Sequence, residues 1–243
     1  MGTRMRSRHW WLIEALILLF LLASPAWAEE ERIVGIGRLR GLRIGIDPGH
    51  QETPDPERER IAPDTRKTRA RVAPGTTGIR SGKPEYAVNL EISLALREAL
   101  RGEDAEVILT RETNDVHISN YERARLMNEQ EADLVLRIHC NGSGRKTMHG
   151  IGIYVSKSYG MPRESKRAAD CILARLAETT GAKPRGVSRR DTYTGLNWLQ
   201  MPGLLIECGY LTNPREDELL NQPEYQRKLA AGILEGVCDY FGR

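Results

Sequence analysis

The chain has 243 residues, 40% of them hydrophobic and 28% charged, with a formal net charge of +3. Three arginines and one glutamate in residues 1–28 account for most of that excess and leave about +1 on the rest, which argues against a nucleic-acid binder. The length beyond residue 28 suits one domain of ordinary size, with enough chain to bury a real core.

Arg4, Arg6 and Arg8 precede a largely apolar run from Trp10 to Leu22, and Ala26-Trp27-Ala28 fits a small-x-small cleavage pattern. Residues 1–28 therefore read as a secretory signal, and 29–243 as the working domain. The apolar run is short for a membrane span of ~20 residues and contains Glu14. An uncleaved anchor is the alternative, and only in that form is membrane attachment expected. Either reading takes the domain out of the cytoplasm, to the envelope or beyond.

Residues 43–47 read as the first strand, within the segment Ile44-Gly45-Ile46-Asp47-Pro48-Gly49-His50. Residues 51–83 are rich in proline and glycine and poor in apolar residues, and they read as one long loop. Its basic run, Arg66-Lys67-Thr68-Arg69-Ala70-Arg71, reads as a solvated face. Pro84 suits the first position of a helix, and Val88, Ile92, Ala95, Leu96 and Ala99 recur at helical spacing over 84–101. A strand over 106–110 follows. Ser119 and Glu122 form a capping-box pattern ahead of a helix to about Glu131. Strands are expected at 134–139 and 150–155, a long helix from Pro162 to about Gly181, and a last central strand at 204–207. Asn213-Pro214 opens a helical region that Pro223 interrupts and that ends near Phe241. Strands alternating with helices give the expected fold class: a single α/β domain, a mostly parallel central sheet flanked by helices on both faces.

Three of the apolar strands end on side chains that can bind or serve a metal: His50, His139 and Glu207. Sites in open α/β sheets form outside the carboxyl ends of the strands, so these three are expected to meet at one edge. Two imidazoles and a carboxylate there suggest a hydrolytic metal centre. A catalytic zinc needs about three protein ligands and an open position. Glu85, in the first turn of the 84–101 helix, is the best third ligand, with a carboxylate favoured by the helix N-terminus as the plain alternative. Glu207 is expensive to bury unpaired. It is either a proton carrier beside a metal or the partner of an arginine such as Arg137 or Arg111. Cys140, Cys171, Cys208 and Cys238 show no CxxC spacing, which argues against a cysteine zinc knuckle. Strand alternation turns Cys140 and Cys208 away from the metal, and all four read as buried small hydrophobes, with a disulfide open to an exported protein.

At these residues the chain resembles a family. Asp47-Pro48-Gly49-His50, Glu85-Tyr86-Ala87-Val88-Asn89-Leu90, Ile138-His139-Cys140-Asn141-Gly142 and Ile206-Glu207-Cys208-Gly209-Tyr210-Leu211-Thr212-Asn213 are similar, in that order, to motifs of the zinc-dependent N-acetylmuramoyl-L-alanine amidases of bacterial cell walls. The resemblance runs from about Arg43 to Phe241. It implies zinc held by His50, Glu85 and His139, with Glu207 as the catalytic glutamate. It also implies peptidoglycan as substrate, cut at the amide between N-acetylmuramic acid and L-alanine. Three departures touch none of these positions. Gln51 stands where the family often has Gly-Gly, the 51–83 segment is long, and Cys140 replaces the usual alanine. Asp47 is either an orienting partner for a ligand histidine or a turn former. Asn141, Arg80 and Asn213 are further candidates for substrate contact. A zinc peptidase acting on the stem peptide would use the same metal chemistry. A non-catalytic envelope-binding protein would be expected to lack a ligand or the glutamate, and all four positions are filled.

Overall fold

The computed structural model describes residues 36–243. The signal-or-anchor segment, residues 1–28, lies outside the described residues. No helix among the described residues is long and apolar enough to cross a membrane.

The strands are β1 (Arg43–Pro48), β2 (Asp55–Arg60), β3 (Thr68–Val72), β4 (Glu106–Leu109), β5 (Leu134–Asn141), β6 (Ile151–Val155), β7 (Pro184–Arg189) and β8 (Gly203–Tyr210). The helices are α1 (Glu85–Arg101), α2 (Asn120–Glu129), α3 (Pro162–Thr180), α4 (Thr194–Asn197), α5 (Pro214–Leu220) and α6 (Pro223–Phe241). The main sheet runs β4-β1-β5-β8-β6-β7. β4, β1, β5 and β8 are mutually parallel, β6 runs antiparallel to β8, and β7 is parallel to β6. The sheet is thus mostly parallel, as expected, with one reversal at β6.

Alternation along the central strands divides the core. Ile44, Ile46, Leu134, Leu136, Ile138, Leu204 and Ile206 point to one face, where they pack with Val88, Ile92 and Leu96 of α1, Ile172 and Leu176 of α3, and Leu229 and Ile233 of α6. Val135 and Leu205 point to the other face, onto Ala124 and Met127 of α2 and Leu196 of α4. Helices on both faces explain why these strands read as continuous apolar runs. Cys140 and Cys208 fall on the α1/α3/α6 side. By the same alternation Asp47, Arg137, His139 and Glu207 fall on the α2/α4 side. All four cysteines are free thiols, and Cys171 is half-buried rather than buried.

Three local expectations are corrected. Pro84 is the residue before the helix, extended at φ −72° and ψ 147°, and α1 begins at Glu85. The 51–83 segment is not one loop: β2 and β3 form an antiparallel two-stranded sheet within it. β7 and α4 fill a stretch for which no element was expected. The capping box at Ser119 and Glu122 is formed in full, and α5 and α6 break at Pro223 as expected.

Candidate active site

β1, β5 and β8 lie side by side, and their carboxyl ends open into a cavity of about 530 Å³. His50 stands two residues beyond β1. His139 is near the end of β5, directly opposite Glu207 of β8 in the strand register. Glu85, the first residue of α1, enters from the helix. All four line the cavity.

Glu85 is buried and held from several sides. Its Oε2 accepts from the Thr76 backbone N–H at 2.9 Å. Its Oε1 accepts from Asn89 Nδ2 and from the Cys140 N–H, both at 3.2 Å. The same Oε1 lies 3.2 Å from His50 Nε2 and 3.1 Å from His139 Nδ1. One ligand atom from each of His50, Glu85 and His139 falls within 4.8 Å of the others. The two rings meet edge to face, with centroids 4.8 Å apart.

His50 sits in the left-handed region at φ 59°, a strained conformation that persists where surrounding contacts over-determine it. Here the His50 carbonyl accepts from Arg123 Nη2 at 2.9 Å, and His50 Nδ1 donates to the Ala73 carbonyl at 2.7 Å. A carbonyl can only accept, so Nδ1 carries the proton of this contact, and Nε2 is left facing Glu85.

Burial pulls the His139 imidazolium down to about 4 despite the Glu85 carboxylate beside it, so His139 is neutral near pH 7. Burial alone would raise Glu85. The close contacts with His139 and His50 outweigh it and hold the carboxyl well below its usual range. The site thus presents a carboxylate and two imidazoles, with His139 Nε2 buried and unpartnered among the described residues. Clustered acceptors without enough protons between them are what a bound cation would satisfy. Two nitrogens and one oxygen suit a transition metal such as zinc.

Glu207 lines the cavity beside this group. Its Oε2 is sealed from solvent and has no partner among the described residues. Burial, helped by the charge of Glu85, pushes its carboxyl up to about 8. The arginines weighed as its partners are engaged elsewhere. Arg137 Nε donates to Asp47 at 2.6 Å, and Arg111 donates to the Pro48, Gly49 and Tyr86 carbonyls.

Asp47 takes neither of the roles considered for it. It is buried, and its carboxylate pairs with Arg123 at 2.8 Å and Arg137 at 2.6 Å and accepts from the Thr110 hydroxyl at 2.6 Å. The backbone carbonyl of Ala73, rather than Asp47, orients His50. Of the further substrate candidates, Asn141 lines the cavity. Arg80 pairs with Glu218 at 3.3 Å, and Asn213 caps α5 through the N–H groups of Arg215 and Glu216. Neither lines the cavity. Arg69 of the basic run reaches the cavity wall, whereas Arg71 is spent on Asp55, Glu57 and Glu122. Asn89, which steadies Glu85 and also bonds the Gly49 carbonyl, was passed over in the sequence. Its position one helical turn after Glu85 was the available signal.

An α/β sheet with a His-Glu-His group and an unpaired carboxyl at its strand ends defines a candidate metal-dependent hydrolase. Comparison with known proteins narrows the class. Residues 44–239 match the N-acetylmuramoyl-L-alanine amidase family, and the chain belongs to that family. It is 31% identical to the germination-specific N-acetylmuramoyl-L-alanine amidase of Bacillus subtilis, over 98% of this chain and 97% of that one. It is 32% identical to the B. subtilis N-acetylmuramoyl-L-alanine amidase LytC over 83% of this chain, but spans only 36% of that protein's length. Among solved structures, the amidase Ami1 from Mycobacterium smegmatis superposes with a TM-score of 0.77 at 25% identity, covering 84% of this chain and 98% of that one. An N-acetylmuramoyl-L-alanine amidase from Clostridium difficile 630 superposes with a TM-score of 0.71 at 28% identity, covering 83% and 97%.

Proposed function

We propose that this chain is a zinc-dependent amidase that hydrolyses the bond between the lactyl group of N-acetylmuramic acid and L-alanine in bacterial peptidoglycan. Amidase chemistry follows from family membership. The observation that carries the mechanism is the pairing of the His50-Glu85-His139 group with an unpartnered Glu207 carboxyl across the strand register from His139.

His50, Glu85 and His139 hold the metal in this reading. When bound there, zinc polarises the scissile carbonyl and lowers the pKa of water towards ~7. The protein's own part is positional and protonic. Ala73 fixes the tautomer and orientation of His50, while Thr76 and Asn89 fix the Glu85 carboxylate. The Glu207 carboxylate, which lines the cavity and has no partner at Oε2 among the described residues, takes a proton from the attacking water and returns it to the leaving L-alanine nitrogen. The cationic and apolar character of residues 1–28 supports export, which places the domain where its substrate is.

Metal analysis tests the ligand set. The purified parent is expected to carry about one zinc per chain, with His50→Ala and His139→Ala losing it. Parent-like zinc content in both variants would show that the site is elsewhere.

A further inference from the structure

Below the cavity, Arg111, Arg123 and Arg137 are all buried around one buried carboxylate, Asp47. Arg111 and Arg123 direct their remaining donors at backbone carbonyls and at the side chains of Asn114 and Gln51. Arg137 differs. Its Nε donates to Asp47 Oδ2 at 2.6 Å and its Nη2 to Asn120 Oδ1 at 2.5 Å. Its Nη1 donates to no acceptor among the described residues, although Arg137 is only 3% exposed.

Arg137 lines the cavity, on the same face of β5 as His139 two residues on. Its guanidinium lies against Gly195, where a Cβ would come within 1.7 Å of Nη1. Glycine at 195 therefore leaves the guanidinium its place in the wall. Nη1 is not among the sealed polar atoms, so its free N–H groups are open to the cavity, where an acceptor on a bound molecule can reach them. An excess of buried positive charge also focuses its field into the adjoining cavity. Both features point to an anion bound from the cavity side.

We propose that Arg137 Nη1 is the counter-ion of a carboxylate on the stem peptide and so seats the peptide side of the substrate. The inference rests on the amidase reading above. Substrate chemistry selects the peptide: in the intact polymer the lactyl carboxyl of muramic acid is tied up in the scissile amide, so the glycan beside the cut is neutral. Carboxylates belong to the stem, beginning with the free main-chain carboxyl of a second residue linked through its side chain. Arg69 is the other arginine lining the cavity, but it is exposed and bonds the Thr192 carbonyl, so solvent weakens its pull on an anion.

The test uses the metal-loaded protein and two disaccharide-peptide muropeptides that differ only at that second residue, one with a free main-chain carboxylate and one with a carboxamide. One buried charge-assisted hydrogen bond should lower KM for the carboxylate by roughly tenfold or more, with kcat little changed. In Arg137→Gln the ratio of the two KM values should collapse to near one. Arg137→Lys keeps a cation for Asp47 but lacks the third nitrogen. It should also collapse the ratio, and it answers the question if the glutamine variant does not fold. Equal KM values in the parent, or a ratio preserved in the variants, would overturn the assignment while leaving the amidase reading intact. Turnover of neither substrate would overturn the amidase reading, and this inference with it.

Discussion

Glu207 occupies a position that stability alone would not select. Its carboxyl is closed in by the sheet, raised by burial and by Glu85, and left without a hydrogen bond at Oε2 among the described residues. Glu207→Gln keeps the shape and removes the proton-carrying oxygen. It is expected to retain zinc while kcat falls by roughly 10²–10⁴, and zinc content with wall-hydrolysis rates checks both halves. At this scale the sequence was informative where chemistry and strand position coincided: His50, His139 and Glu207 each close an apolar run of sequence, and the structure brings them to one edge. Asp47 was harder to read. A carboxylate three residues before a strand-end histidine looks like an orienting group, and nothing local reveals that Arg123, 76 positions away, and Arg137, 90 away, claim both of its oxygens. Long-range ion pairs leave no periodic trace in the chain.

Elements were legible in proportion to the apolar surface they bury. β1, β5 and β8 are covered on both faces and stand out as apolar runs, whereas β2 (DPERER) and β3 (TRARV) are mostly polar and pair only with each other. β7 (PRGVSR) is an edge strand with similar composition. Without an apolar stripe there is no period to detect, so the hairpin that carries Arg69 to the cavity was hidden inside an apparent loop. The crossing of α3 and α6 shows the opposite case, a helix contact set by a missing side chain. A Cβ on Gly236 would sit 2.4 Å from Ile172 Cα. Gly236→Ala should gain up to ~1 kcal/mol of helix propensity and lose ~1–3 kcal/mol to overpacking. Because the obstructing atom is backbone, the loss should win, and a lower denaturation midpoint checks it. An unchanged or higher midpoint would mean that the two helices separate at little cost.

At the scale of the whole molecule, one buried charge cluster ties the first strand to α2 and β5 beneath the site. Burial would raise the Asp47 carboxyl, but Arg137, Arg123 and the Thr110 hydroxyl outweigh it and hold the carboxyl well below the usual carboxylate range. A folded pKa below the unfolded value of ~3.9 means that this stabilisation is fully present above ~pH 4. It is lost as pH falls from there towards the folded value. The acid limb of a stability–pH profile should therefore be steep below ~pH 4 in the parent and shallower in Asp47→Asn. At neutral pH that variant should lose about 3–5 kcal/mol, because two buried guanidiniums are left without their carboxylate. Parallel acid limbs would remove Asp47 from the pH response.

The same edge of the sheet that this cluster supports carries the proposed chemistry. Its most direct test is digestion of purified peptidoglycan by the purified protein, with and without a chelator, and products identified by mass. The expected result is release of peptides with a new N-terminal L-alanine and glycan with free muramic lactyl carboxyls, abolished by the chelator and restored by zinc. Cuts within the stem peptide, or amide hydrolysis that the chelator leaves untouched, would contradict it.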